Sequence, residues 1–196
     1  MPGRRQLVLA STSLYRRQLL ERLALPFECA APEVDETPLP RERPQDTALR
    51  LSLAKAQAIA ARYPQALVIG ADQVAVRAGE RLDKPGDHAR ARAQLLALSG
   101  AAADFYTAVS VLDAQSGEAR SQLVSCRVQF RELDERTVDN YLRLEQPYDC
   151  AGSAKAEGLG IALIRRIETE DPTSLIGLPL MALTGMLAQA GMPVLG

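Results

Sequence analysis

Apolar positions along the chain follow two rhythms. Short unbroken runs, Gln6 to Ala10 and Ala66 to Ala71, read as strands covered on both faces, because a half-exposed strand alternates and a helix needs a longer segment. Other stretches repeat apolar residues three and four apart and read as helices. They are Leu14 to Leu25, with Leu19, Leu20 and Leu23 in register; about Gln45 to Arg62, with Leu51, Ala54, Ala58 and Ile59; Asp134 to Glu145, with Val138, Tyr141 and Leu142; and a mostly apolar closing segment, Gly177 to Ala190. Asp87 can cap a further helix that ends at Ser99-Gly100. Phe27 to Ala31 and Ile161 to Ile167 read as strands, and Val74 to Val76 continues the second apolar run. Phe105 to Leu112 and Gln122 to Phe130 read as a hairpin around Gln115-Ser116-Gly117-Glu118. Helices and strands intermix throughout, which predicts a mixed-sheet α/β or α+β fold.

Composition narrows this picture. At 196 residues and 47% hydrophobic content the chain can form one domain over 1–196, with room for two lobes around a central cleft. Basic and acidic residues nearly cancel, 23 against 24, so no global field draws the chain to nucleic acid or to an anionic membrane, and any anionic ligand must be held locally. Three Phe and no Trp leave few stacking platforms for single strands. No run approaches the ~18 apolar residues of a membrane span, and the apolar part of MPGRRQLVLAST falls short of the roughly seven to fifteen residues of a signal peptide. The expectation is a cytoplasmic protein. Cys29, Cys126 and Cys150 are odd in number and lack CxxC spacing, so they read as small core fillers. His88 is the single histidine, which disfavours histidine metal sites and triads.

Five segments carry candidate chemistry. Asp72 follows the second apolar run, at the carboxyl end of a strand, where open α/β sheets place their reactive groups; an acid there can equally close a turn. Ser11, Thr12, Ser13 and Arg16 enter a helix from a hydroxyl-rich loop, which suits an anion but also ordinary capping. Lys55 on the second helix and Lys84 before Pro85 are candidate phosphate ligands or solvated lysines. Glu36 and Asp72 can hold Mg²⁺, which takes one or two carboxylates and completes its shell with water and phosphate, or can be plain caps.

Taken in order, these segments resemble the Maf family of nucleoside triphosphate pyrophosphatases. The resemblance runs through LVLASTS at Leu7 to Ser13, EVDE at Glu33 to Glu36, LAKAQA at Leu53 to Ala58 and IGADQV at Ile69 to Val74. It continues through DKP at Asp83 to Pro85, CAGSAKAEGLG at Cys150 to Gly160 and LIGLPL at Leu175 to Leu180. It implies an elongated mixed α/β fold related to inosine triphosphatase, cleavage between the α and β phosphates, a divalent cation (Mg²⁺ or Mn²⁺) and a homodimer. It also implies that Asp72 accepts the proton of the attacking water, that Glu36 with Asp72 holds the metal, and that Ser11, Arg16, Lys55 and Lys84 engage the triphosphate. Where the family carries Ser-Pro before its arginine pair, this chain has Ser13-Leu14.

The same resemblance places substrate specificity at Tyr15, Gln73 and Glu157. Members acting on dTTP and UTP carry arginine, threonine and glutamine there, and this chain matches none of them. Gln73 and the AGSAKAEGLG segment resemble the branch acting on 7-methyl-GTP, in which an aromatic residue often takes the first position. Methylation at N7 gives guanine a positive charge that the face of Tyr15 attracts, and the Glu157 carboxylate can accept from guanine's two donor groups. Other base preferences, including dTTP and UTP, and a non-catalytic regulator of septum formation are the competing expectations.

Overall fold

A computed structural model describes residues 5–196, so the basic start at residues 1–4 lies outside the described residues. The strands are β1 (Leu7–Ala10), β2 (Glu28–Ala30), β3 (Leu67–Arg77), β4 (Glu80–Arg81), β5 (Ala102–Asp113), β6 (Ala119–Phe130) and β7 (Ile164–Thr169). The helices are α1 (Leu14–Glu21), α2 (Pro44–Ala60), α3 (His88–Leu98), α4 (Glu135–Glu145) and α5 (Leu180–Gln189). Strand order is β2-β1-β3-β5-β6-β7, with β4 paired to β3. The sheet is mixed: β1 runs parallel to β2 and β3, whereas β4 on β3 and β7 on β6 are antiparallel. The expected mixed α/β architecture is therefore the one the chain adopts.

The chain divides into two compact units, one comprising the segment to Gln73 with Thr107–Val124 and Asp171–Gly196, the other Val74–Tyr106 with Ser125–Glu170. In the first unit the unbroken apolar runs are explained by burial on both strand faces. Leu7 and Leu9 of β1, with Leu67, Ile69 and Ala71 of β3, pack with Leu19 and Leu20 of α1 and Leu183 and Leu187 of α5. The alternate residues, Val8, Ala10, Ala66 and Val68, pack with Ala56 and Ile59 of α2. Period-two alternation thus assigns each β3 residue to one helical layer, at about 1.5–3 kcal/mol for every large side chain fully buried.

Capping sets several boundaries. Asp87 accepts from Arg90 N–H at the start of α3, and Asp134 from Thr137 N–H at the start of α4. The closing helix starts at Leu180, three residues later than the expected Gly177, because Gly177 sits at φ 115° and Pro179 is the residue before the first helical position. Asp171 supplies the cap from a distance, its Oδ2 accepting from Met181 N–H at 2.7 Å, while Thr173 Oγ1 accepts from Leu180 N–H at 2.8 Å. The last strand also starts later than expected, at Ile164, since Leu159–Leu163 winds as a 3₁₀ turn. Only Cys126 is a buried core residue; Cys29 is exposed and Cys150 half-buried, which corrects the reading of all three as core fillers.

Candidate active site

The site begins with a glycine. Gly70 shares the α2-facing side of β3 with Val68, and a β-carbon there would overlap the Ser52 carbonyl oxygen and crowd Ala56 N. Its absence lets α2 lie directly on the strand. Two residues on, Asp72 points to the same face and is 6% exposed; it lies in the middle of β3, not at the carboxyl end expected from the apolar run, because the strand continues through Val74–Arg77. The buried stripe of α2 runs through Ala48, Leu51, Ser52, Lys55, Ala56 and Ile59, not through Ala54 and Ala58 as the sequence pattern predicts. This rotation carries Lys55 from the expected polar side into the interior, where it is 5% exposed.

A buried ammonium needs counter-charge, and Lys55 has two. Its Nζ lies 2.6 Å from Asp72 Oδ1 and 2.8 Å from Glu36 Oε1. Burial raises the Asp72 carboxyl above its ordinary value; the charge and hydrogen bond of Lys55, then the charge of Arg16, oppose that rise. Arg16 is itself pulled below its usual range by burial, against the opposing charges of Asp72 and Glu36. Its Nε donates to the Gly177 carbonyl at 2.9 Å, which ties α1 to the segment before α5. Ser11 is buried and its Oγ accepts from Ser13 N–H at 3.1 Å, while Ser13 caps α1 by accepting from Arg16 N–H. Tyr15 lies half-buried on α1. The first unit therefore brings Arg16, Glu36, Lys55 and Asp72 into one charged neighbourhood, with Ser11 in the turn that leads into the helix bearing Arg16.

Gln73, next along β3, points to the opposite strand face. Its Nε2 is 2.9 Å from Thr107 Oγ1, 3.0 Å from the Ser174 carbonyl and 3.1 Å from the Leu175 carbonyl. Thr107 Oγ1 donates to the same Ser174 carbonyl. The amide nitrogen is thereby committed to protein acceptors, which fixes the orientation of the side chain.

Lys84 and Glu157 belong to the second unit. Lys84 is exposed on the loop between β4 and α3. Glu157 lies exposed in a turn whose base is held by α4: Tyr141 Oη accepts from Lys155 N–H at 2.9 Å, and Glu145 accepts from Leu159 N–H at 2.7 Å and pairs with Lys155 Nζ at 3.0 Å. A β-carbon at Gly158 would press on the Glu145 carboxylate and push it off its contacts with Leu159 N–H and Lys155. Protein mass around Glu157 pushes its carboxyl up, partly offset by a backbone N–H and by the charge of Lys155.

A sequence profile described as Maf-like protein matches residues 6–190. The chain belongs to the Maf family. Among its relatives in that family, the 7-methyl-GTP pyrophosphatase of Thiobacillus denitrificans is 59% identical over 189 residues, covering 96% of this chain and 94% of that protein. The 7-methyl-GTP pyrophosphatase of Cupriavidus pinatubonensis is 56% identical over 188 residues, with coverage of 96% and 94%. Among solved structures, the Ham1 protein of Staphylococcus aureus aligns over 65% of this Maf chain and 73% of its own, at 15% identity and a TM-score of 0.48.

The donor chemistry of this Maf site suits a hard divalent cation. Two carboxylates, Asp72 buried and Glu36 largely open to solvent, converge on a single cationic centre, and one or two protein carboxylates are what Mg²⁺ takes when water and phosphate complete its shell. Among the described residues no group of three or more His, Cys, Asp or Glu side chains is placed to hold a metal by itself. No helix among the described residues is long and apolar enough to cross a membrane. Sequence reasoning missed Thr107 and the carbonyls of Ser174, Leu175 and Gly177, which orient Gln73 and Arg16, and it missed Arg50, which bonds the Thr37 carbonyl beside Glu36 and pairs with Glu42. Backbone carbonyls carry no side-chain signature, and the Glu42–Arg50 pair is visible only once the preceding loop folds back on α2.

Proposed function

We propose that this protein is a nucleoside triphosphate pyrophosphatase that hydrolyses 7-methyl-GTP to 7-methyl-GMP and pyrophosphate, removing a modified nucleotide. The observation that carries this reading is the buried Asp72–Lys55 pair joined by Glu36, in a chain that matches 7-methyl-GTP pyrophosphatases over nearly its whole length.

Water attacks phosphorus and donates a proton to the Asp72 carboxylate as the new O–P bond forms and the bond to the bridging oxygen between the α and β phosphates breaks. A carboxylate raised by burial is a stronger base than one in water, and Lys55 opposes part of that rise and fixes its direction. Pyrophosphate leaves with the electron pair. Lys55, Arg16, Ser11 and Lys84 supply the charge and donors that meet the phosphate oxygens, since phosphoryl transfer is chiefly positioning and charge stabilisation. A divalent cation, Mg²⁺ or Mn²⁺, held by Glu36 and Asp72, would neutralise phosphate charge. Tyr15 offers an aromatic face to the cationic methylated ring, Glu157 accepts from its donor edge, and Gln73 completes the specificity set. The protein acts in the cytoplasm as a homodimer.

Pyrophosphate release over a panel of 7-methyl-GTP, GTP, dTTP and UTP, with Mg²⁺ or Mn²⁺, tests this reading. Preferential release from 7-methyl-GTP supports it. Release from the other nucleotides alone retains the chemistry and removes the assigned roles of Tyr15 and Glu157; no release from any nucleotide with either metal contradicts the whole reading.

A further inference from the structure

Glu36 reaches Lys55 from a stretch without regular secondary structure, residues 31–39, and its side chain is 61% exposed. An exposed carboxylate on an irregular segment gains little from one ion pair and pays side-chain entropy to keep it. Something else must fix the loop, and the hydrogen bonds identify it. Arg50, on α2 and five residues before Lys55, donates from Nη2 to the carbonyl of Thr37, the residue immediately after Glu36, at 3.2 Å. The same guanidinium grips Glu42 with two bonds, Nε to Oε1 at 2.6 Å and Nη2 to Oε2 at 2.8 Å. Glu42 in turn accepts from Leu39 N–H and from Thr47 Oγ1, each at 3.0 Å. Thr37 N–H donates to Asp35 Oδ1 at 2.9 Å. Both sides of Glu36 are thus held, and the clamp is rooted in the helix that carries Lys55.

We propose that Arg50, seated by Glu42, is a positioning residue that holds Glu36 in place opposite Lys55 and Asp72, and so sets how readily the site takes its divalent cation. The inference rests on the metal-holding role given to Glu36 under the proposed function. The planar fork of arginine is what the task requires: it spans a carboxylate and a backbone carbonyl together, which a lysine point charge cannot do with the same direction. Outer groups that orient metal ligands characteristically change metal affinity by about tenfold or more.

The test is a double-mutant cycle of Arg50→Lys and Glu36→Gln, reading the Mg²⁺ concentration for half-maximal pyrophosphate release at saturating nucleotide. Hydrogen exchange over residues 35–39 and the melting temperature are measured alongside. Arg50→Lys is expected to raise the half-saturating Mg²⁺ about tenfold, to speed exchange over 35–39, and to have no further effect on the Mg²⁺ requirement in the Glu36→Gln background. An equal rise in that background overturns the inference, because Arg50 then acts independently of Glu36. If Glu36→Gln alone leaves the Mg²⁺ requirement unchanged, the metal-holding role of Glu36 falls, and the inference with it. Glu42→Gln serves as the second variant should Arg50→Lys fail to fold: it is expected to show the same two changes, and unaltered exchange over 35–39 together with an unaltered Mg²⁺ requirement overturns the clamp.

Discussion

Asp72 and Glu157 are both carboxylates raised by their surroundings, but the protein treats them in opposite ways. Asp72 is planted mid-strand on β3, buried beneath α2 and paired with a buried ammonium at 2.6 Å. Glu157 stands exposed in a turn, while the neighbouring residues, not Glu157 itself, are fastened to α4 through Tyr141 and Glu145. The first arrangement fixes a base in one direction at the cost of desolvating it. The second leaves a carboxylate open to an incoming partner and rigidifies only its support. Under the proposed function the former suits the base, because a misdirected base transfers no proton, and the latter suits recognition, because the carboxylate must exchange water for ligand donors.

The contrast can be broken at either end. The largest effect is expected from Asp72→Asn, which keeps an oxygen for Lys55 but removes the base: turnover should drop by about 10²–10⁴ while circular dichroism stays native and the melting temperature falls, because Lys55 loses its buried counter-charge. Gly70→Ala attacks the same region through packing. Its new methyl meets the Ser52 carbonyl, and a urea titration should show a loss of about 3 kcal/mol or more. At the other end, Glu157→Gln removes a charged acceptor without touching the first unit's ion pairs, and the ratio of kcat/KM for 7-methyl-GTP over GTP should fall about tenfold, with kcat on GTP unchanged. Glu145→Ala releases only the support of that turn, so a smaller fall in the same ratio, about threefold, is expected.

A pH series sharpens the first half of the comparison with the smallest expected effect. The hydrogen bonds from Arg50, then those from Leu39 N–H and Thr47, hold the Glu42 carboxyl down at about 2, against an ordinary 4.5. A depressed carboxylate stabilises the fold above the unfolded-state value and loses that contribution as pH falls through the folded one. The difference in melting temperature between wild type and Glu42→Gln should therefore be constant above pH 4.5 and shrink between 4.5 and about 2. A difference that does not change over that range would show that the clamp owes nothing to ionised Glu42.

Much of the frame was legible in the residues. Unbroken apolar runs marked β1 and β3 because both faces of those strands are covered, and Asp87 and Asp134 marked two helix starts because capping is local. The convergence of Glu36, Lys55 and Asp72 followed from motif resemblance, while the burial of Lys55 did not follow from pattern. On α2 the expected Leu51 and Ile59 are buried, but Ala54 and Ala58 are not, because its alanines fit several stripes and the close approach to Gly70 favours the one through Ser52 and Ala56. The delayed start of α5 escaped for a similar reason: its cap, Asp171, lies nine residues before the first helical position. Arg50 and Glu42 carry no sequence signal of their pairing, which forms only where the irregular stretch before Glu42 meets α2.

The central claim is that turnover and base selection reside in different carboxylates. The most direct measurement is kcat/KM for 7-methyl-GTP and for GTP on the wild type, Asp72→Asn and Glu157→Gln. The account predicts that Asp72→Asn lowers turnover of both nucleotides by about 10²–10⁴, whereas Glu157→Gln lowers the 7-methyl-GTP value more than the GTP value, since both bases present the donor edge and only the methylated one is cationic. Equal losses on both nucleotides in Glu157→Gln, or a folded Asp72→Asn that retains wild-type turnover, would contradict it.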